Sequence, residues 1–344
     1  IMNYFIKQSP ITGLAGFGGG ASGLVTAGGA PTGTGIWYGN RGLNFGGATF
    51  ASSYFNVIEY VDITSVGSNA SDFGDLSSQR REVAGCSDGT KALMIAGYPK
   101  SSSTYVDYIE WVTVSSTGNS ADRGDLTQDN YGGMACSDGL YGFYCGGVHT
   151  KSSITMTDKI EVFTMATSGN ASDAGDLTST HNSMGTMVND ATRAVRCGGQ
   201  EWNGDKQNTM DYFTMLTSVS SSDFGDLSYP SSDNGGCGNA SRGVISLGGT
   251  LQSGSVTYSP QIDYITIAST GNASDFGDLT ITRNHATGCC NATRAIFQTG
   301  YGWPANAVYD RIDYIEIDTT ANASDFGNTA NSRWAARAAS GSPS

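Results

Sequence analysis

The sequence predicts an all-β protein, a six-bladed β-propeller of four-stranded antiparallel blades closed by N- and C-terminal strands that share one blade. Three observations predict it. The composition is rich in turns and poor in charge, one motif recurs six times at a near-constant interval, and each end of the chain carries half of a missing repeat. Of 344 residues, 48 are Gly, 14% are charged and 38% are hydrophobic. Glycine is about twice its usual ~7% and charge well below the usual ~25%, which favours short strands and turns over charged helices. The apolar content suffices for a core.

The repeated motif fixes the architecture. It reads Asp72-Phe73-Gly74-Asp75-Leu76 and returns around Gly124, Gly175, Gly225, Gly277 and Gly327, where Asn328 replaces the second acid. Upstream of each copy stands an acid followed by aromatic and β-branched residues: Glu59 to Ile63, Glu110 to Val114, Glu161 to Met165, Asp211 to Met215, Asp263 to Ile267 and Asp313 to Ile317. Such density, bounded by Ser, Thr, Gly and Asn, describes strands. A third element ends in glycine, often doubled, at Gly46-Gly47, Gly97, Gly146-Gly147, Gly198-Gly199, Gly248-Gly249 and Gly300. A fourth follows each motif glycine by about a dozen residues and is built of small side chains, as in Val83 to Cys86, Gly133 to Cys136 and Ala286 to Cys289. Four short strands per repeat, six times, is the sequence form of a propeller, with the small-residue strand innermost where six strands crowd an axis.

The termini supply the sixth blade. Residues 333 to 340 resemble the innermost strand and residues 42 to 47 the next one, so joining them closes the ring. The domain division expected is a Gly-rich arm over residues 1–32, serving as an attachment segment, and the propeller over residues 33–344.

The repeats resemble kelch-type propeller repeats in their glycine doublet, downstream aromatic strand and period. More specifically, the run from Asp263 to Thr280, with its Ser-Thr-Gly-Asn-Ala-Ser-Asp-Phe-Gly-Asp core, is similar to repeats in structural proteins of tailed phages, especially those of marine bacteria and cyanobacteria. The likeness covers residues 35 to 344. It implies a non-enzymatic virion component assembled in the host cytoplasm: a tail fibre, tail tip, knob or capsid-decorating protein in many copies. Its implied partners are other virion proteins, through the arm, and a host-surface glycan or protein. The competing expectation is a propeller lectin, or a glycan-acting or oxidase-type kelch enzyme.

Charge and cysteine usage narrow the partners further. Eighteen basic against 31 acidic side chains give a net charge of −13, which repels nucleic acid and anionic membrane. No apolar run reaches the ~18 residues of a membrane span, and no secretory signal is visible at the N-terminus. Seven cysteines without a CxxC pair point to reduced, buried thiols. No cofactor is expected.

The loops between second and third strands diverge most between repeats. They carry Tyr98, Lys100, His149, Trp202, Lys206 and Trp303, read here as a binding face in which rings stack on sugars or pack on protein. The Asn-Ala-Ser-Asp-x-Gly-Asp loops offer two acids per blade, but Asn and Asp side chains cap turns and the spacing is not that of an EF-hand, so a turn is expected rather than calcium. That turn also accounts for four of the Asn-x-Ser/Thr sequons, at Asn69, Asn170, Asn272 and Asn322. The acids that open the third strands sit in different blades, too far apart for a glycosidase pair, and are expected to serve as hydrogen-bonded structural groups. Cys86, Cys136, Cys237 and Cys289 share one position with Met187 and Ala339, which marks a buried apolar site. Residues unique to one blade are expected chiefly in outer loops, with the inner strands bland, and this favours a binding or structural role over an enzyme.

Overall fold

A computed structural model describes residues 37–50, 53–101, 104–149, 155–180, 185–215, 219–252, 255–302 and 305–342. The arm expected over residues 1–32 lies outside the described residues. The described residues form no helix, and none is therefore long and apolar enough to cross a membrane.

Six antiparallel blades make a propeller. From the axis outward, blade 1 is Ala84–Ser87, Lys91–Pro99, Val106–Thr113 and Ala121–Asn130. Blade 2 is Met134–Ser137, Tyr141–Cys145, Lys159–Thr164 and Ser172–Asp176. Blade 3 follows with Thr186–Asn189, Arg193–Gln200, Lys206–Thr214 and Ser222–Ser232, and blade 4 with Gly235–Gly238, Arg242–Ser246, Gln261–Thr266 and Ser274–Asp278. Blade 5 comprises Thr287–Cys290, Arg294–Gly302, Ala307–Glu316 and Ser324–Asn328. Blade 6 takes its inner strand, Arg337–Gly341, from the C-terminal end and its other three, Arg41–Phe45, Val57–Asp62 and Ser71–Asp75, from the N-terminal side. Arg41 pairs with Gly341 and Phe45 with Arg337 across that join. The closure expected from the sequence is thus the one observed.

The inner strands abut in a cycle, blade 6 touching both blade 1 and blade 5, and enclose an axial channel of about 90 Å³. Small residues are required because neighbouring inner strands nearly touch. A Cβ on Gly288 would lie 2.9 Å from the backbone of Gly236, and one on Gly236 would lie 2.9 Å from the Thr186 side chain. All seven cysteines are free and six are buried.

The core lies between blades rather than within them. Leu43, Phe45, Ile58 and Phe73 of blade 6 pack on Val83, Met94 and Val112 of blade 1, and equivalent clusters fill the other five seams. Burying apolar area at about 25 cal/mol per Å² makes each seam a main stabiliser of its two blades.

The repeated motif is a latch on the outer seam. Each motif glycine has φ between +139° and +149°, a region that L side chains avoid. Each also meets the next blade: a Cβ on Gly277 would lie 2.5 Å from the Ala321 carbonyl oxygen, and one on Gly175 would lie 1.8 Å from that of Val219. The asparagine of the following loop completes the contact. Asn119, Asn170, Asn272 and Asn322 accept from the backbone N–H of Asp75, Asp125, Asp226 and Asp278 at 3.0 to 3.1 Å, and Asn69 accepts from Asn328 at 3.1 Å across the closing seam. Ser221 makes the equivalent link by donating to the Asp176 carbonyl.

The acids at the third strands are buried and tie in the chain that arrives from the preceding blade. Glu110, Glu161, Asp263 and Asp313 accept from the backbone N–H of Ser77, Thr127, Ser228 and Thr280 at 2.7 to 3.2 Å. Arg80, Arg196, Arg283 and Arg333 form buried ion pairs with Glu110, Asp211, Asp313 and Glu59.

Candidate functional site: the upper mouth of the axis

Antiparallel order places the loops between second and third strands at one end of the wheel, together with the connections from each outer strand to the next inner strand. This end is called upper. The residue eight positions after the motif glycine stands in that connection, beside the axis. It is Glu82, Gly132, Asp233, His285 and Ala335 in blades 1, 2, 4, 5 and 6, with φ of 54°, 67°, 60°, 52° and 53°. These residues join one another around the rim: Glu82 N–H donates to Ala335 O at 2.9 Å, Gly132 N–H to Glu82 O at 3.1 Å, and His285 N–H to Asp233 O at 2.9 Å. Left-handed backbone costs a non-glycine residue about 1 kcal/mol or more. Here the left-handed non-glycine positions carry Glu, Asp, His and Ala.

Blades 1 and 4 lie opposite each other in a ring of six, so Glu82 and Asp233 face across the axis, with Arg337 rising from the inner strand of blade 6. The Glu82 carboxyl ion-pairs with Arg81. Burial pushes its pKa above the usual carboxylate range, against the pull of Arg81 and Arg337. Asp233 Oδ1 lies 3.2 Å from His285 Nε2, and its Oδ2 accepts from Ser232 Oγ at 3.3 Å and from Asn284 Nδ2 at 3.4 Å. Lys206 Nζ donates to Ser232 Oγ at 2.5 Å. Burial lowers the pKa of Arg337, while Glu82 and Asp233 raise it. Burial also lowers that of His285 to about 4, with Asp233 opposing, so the imidazole is neutral at pH 7.

Aromatic rings surround this charged mouth. The Arg81 guanidinium lies over Tyr98 and Trp334, each at 5.1 Å, and over Tyr54 at 5.5 Å. Its Nε donates to the Tyr54 hydroxyl at 3.0 Å. Tyr98, Tyr105 and Tyr131 pack ring on ring at 4.3 to 5.9 Å. On the side of blades 4 to 6, Tyr301 contacts Phe50 at 4.9 Å and Tyr258 at 6.0 Å.

Of the residues expected to form a recognition face, Tyr98 and Lys206 reach the mouth. His149 sits beside Val148, which packs with Tyr98, Tyr105 and Tyr131. Lys100 is exposed, with its backbone N–H bonded to Gln79 O at 3.0 Å. Trp202 is 65% exposed on its own turn. Trp303 lies outside the described residues. The expectation that residues unique to one blade sit chiefly in outer loops is corrected: Arg81, Glu82, Asp233, His285, Trp334 and Arg337 gather beside the axis. Closure of the ring brings them together from four blades. The eighth position after the motif glycine reads Glu, Gly, Ser, Asp, His, Ala, but the seventh reads Arg, Tyr, Asn, Ser, Asn, Trp and varies as much, so no sequence signal singles these residues out.

At the lower end, Trp37 and Tyr38 line the channel, with Trp37 Nε1 donating to Gly238 O at 3.3 Å. Among the described residues, no three His, Cys, Asp or Glu side chains converge as a metal site. No family model and no curated protein matches this chain.

Proposed function

We propose that this chain is a non-enzymatic virion component of a tailed phage, a rigid wheel whose upper face binds a host-surface glycan or protein or a neighbouring subunit. One observation carries the reading: the two ends of the axis differ. Trp37, the first of the described residues, lies at the lower end against Gly238, while aromatic and charged side chains unique to single blades gather at the upper end. A chain held through its N-terminal segment therefore presents the upper face outward. The phage assignment is supported by the resemblance of the Asp263 to Thr280 repeat to virion proteins, and six interlocked seams give the stiffness such a part needs. Many copies would turn weak contacts into avidity.

Two measurements test the proposal. Mass spectrometry of purified particles is expected to find the chain in stoichiometric amount, and added soluble protein is expected to slow adsorption of those particles to host cells. A chain found only in infected-cell lysate, never in particles, overturns the virion role.

The charged mouth favours a second reading, a glycan-acting enzyme, because an acid pair facing across an axis suits acid–base chemistry. Release of new reducing ends from host polysaccharide by the wild type, and not by Glu82→Gln, would decide for it.

A further inference from the structure

Buried polar atoms at the upper mouth that lack a hydrogen-bond partner include Glu82 Oε2, His285 Nδ1 and Trp334 Nε1, together with Asn284 Oδ1 and Asp233 Oδ1. Glu82 is 4% and His285 6% exposed. Leaving one such group unmet costs about 1–3 kcal/mol, and here they share one rim: Glu82 bonds to Ala335 beside Trp334, and the Trp334 ring lies 5.0 Å from His285. The same rim carries Glu82, Asp233 and His285 on a left-handed turn that Gly132 and Ala335 share in their own blades. The unmet groups therefore fall on one small region.

We infer that the upper axial mouth is a sugar-binding subsite that takes the terminal ring of a neutral glycan end-on, between Glu82, Asp233, His285, Trp334 and Arg337. The inference rests on the reading of the upper face as a recognition face and names its ligand class.

The chemistry of the mouth selects the class. Glu82 and Asp233 repel a phosphate or carboxylate, while Arg81, Arg337 and Lys206 repel an ammonium group or a metal ion. An apolar group would leave the partnerless polar atoms unmet. A hydroxyl both donates and accepts. It can give its proton to Glu82 Oε2 or to neutral His285 Nδ1, and accept from Trp334 Nε1 or the Arg337 guanidinium. Neighbouring hydroxyls on one ring satisfy several of these at once. The C–H faces of a sugar suit the rings around the entrance, Trp334, Tyr98 and Tyr54, which Arg81 already holds in place. Backbone bonds between blades 6 and 1, 1 and 2, and 4 and 5 hold the rim, and Arg337 lines the axial channel of about 90 Å³ below it, so the mouth suits a chain end rather than a residue linked on both sides.

The test uses the full chain and the methyl glycosides of glucose, galactose, mannose, fucose and N-acetylglucosamine, with binding read by saturation-transfer NMR and titration. At least one is expected to bind. Affinity is expected to fall about tenfold or more in Glu82→Gln and in Asp233→Asn, each of which keeps the shape and removes the charged acceptor. It should be unchanged in Leu140→Ala, at the lower end. Hydrogen exchange of the wild type, which needs no variant to fold, is expected to show sugar-dependent protection over residues 81–86, 232–237 and 284–288. Binding of none of the five sugars, or binding that ignores both mouth variants and protects other segments, overturns the inference. If the sugars fail while the chain still slows particle adsorption, the subsite falls and the recognition face stands. If a sugar binds at the mouth of a chain that is absent from particles, the virion role falls and the subsite stands.

Discussion

A glycine at the outer seam answers two demands at once, a left-handed backbone and a neighbour's carbonyl where its side chain would be. At Gly277, with φ of +142° and the Ala321 oxygen 2.5 Å from a would-be Cβ, alanine is expected to cost more than about 2 kcal/mol. Asn322→Ala, which removes only the bond to Asp278 N–H at 3.1 Å, is expected to cost about 1 kcal/mol. Urea denaturation of the two variants checks the order, and equal losses would deny the steric part of the argument. His285 carries a different signature. Its pKa falls from 6.5 to about 4 on folding, so between those values the unfolded chain binds the proton and the folded one does not. Stability from this group is whole above about pH 6.5 and is lost as the pH falls towards 4, by up to about 3 kcal/mol. Burial sets the direction; Arg337, Arg81 and Lys206 add to it and Asp233 opposes it. Relative to His285→Asn, a residue that tolerates the left-handed backbone, the wild type is expected to lose stability over that window. Parallel pH profiles of the two proteins would contradict it.

Within a blade, the acid at the third strand does the work of a fastener. Asp313 accepts from Thr280 N–H at 3.1 Å and pairs with buried Arg283 at 2.9 Å, so it binds the arriving chain and neutralises a cation that burial would otherwise penalise. Asp313→Ala is expected to cost about 3–5 kcal/mol, because Arg283 is left charged and alone. Arg283→Met with Asp313→Leu is expected to recover most of that loss, as apolar replacements of a buried pair often do. Thermal melts of the single and double variants measure the difference, and a double variant no better than the single one would show that the pair itself supplies the stability. This fastening was legible from the sequence as a strand-opening acid repeated six times, and so were the inner strand of small residues and the motif turn, since each depends on residues close in sequence and recurs. The mouth was not legible. Glu82, Asp233, His285 and Arg337 come from four blades, each stands at a position that varies from repeat to repeat, and only closure of the ring makes them neighbours. A repeat reports what all blades share, so a site built from their differences reads as irregularity.

At the scale of the whole molecule, closure rests on contacts that make no reference to where the chain is cut. Blade 6 is joined by the pairing of Phe45 with Arg337, by Arg333 with Glu59 at 2.8 Å, and by the Asn69 latch to Asn328, which repeats a link found at the other seams. The incoming and outgoing chains also run side by side there: a Cβ on Gly39 would lie 2.1 Å from the Gly341 carbonyl carbon, and Ser342 N–H bonds to Gly89 O at 2.8 Å. A short linker from residue 342 to residue 40, with new ends opened at the exposed turn beside Trp202, moves the shared blade to blade 3 and leaves every seam intact. That turn lies outside the ladder, where new termini are tolerated. The permutant is expected to fold cooperatively with a Tm within about 5 °C of a chain starting at residue 37. Cutting the chain after Asn328 removes the inner strand of blade 6, strips Phe45 and Ile296 of their neighbours Arg337 and Ala338, and exposes an unpaired edge. It is expected to lose cooperative unfolding altogether. A permutant that fails to fold, or a truncated chain that melts like the wild type, would mean that the order of the blades along the chain, and not the closed ring, holds the wheel together.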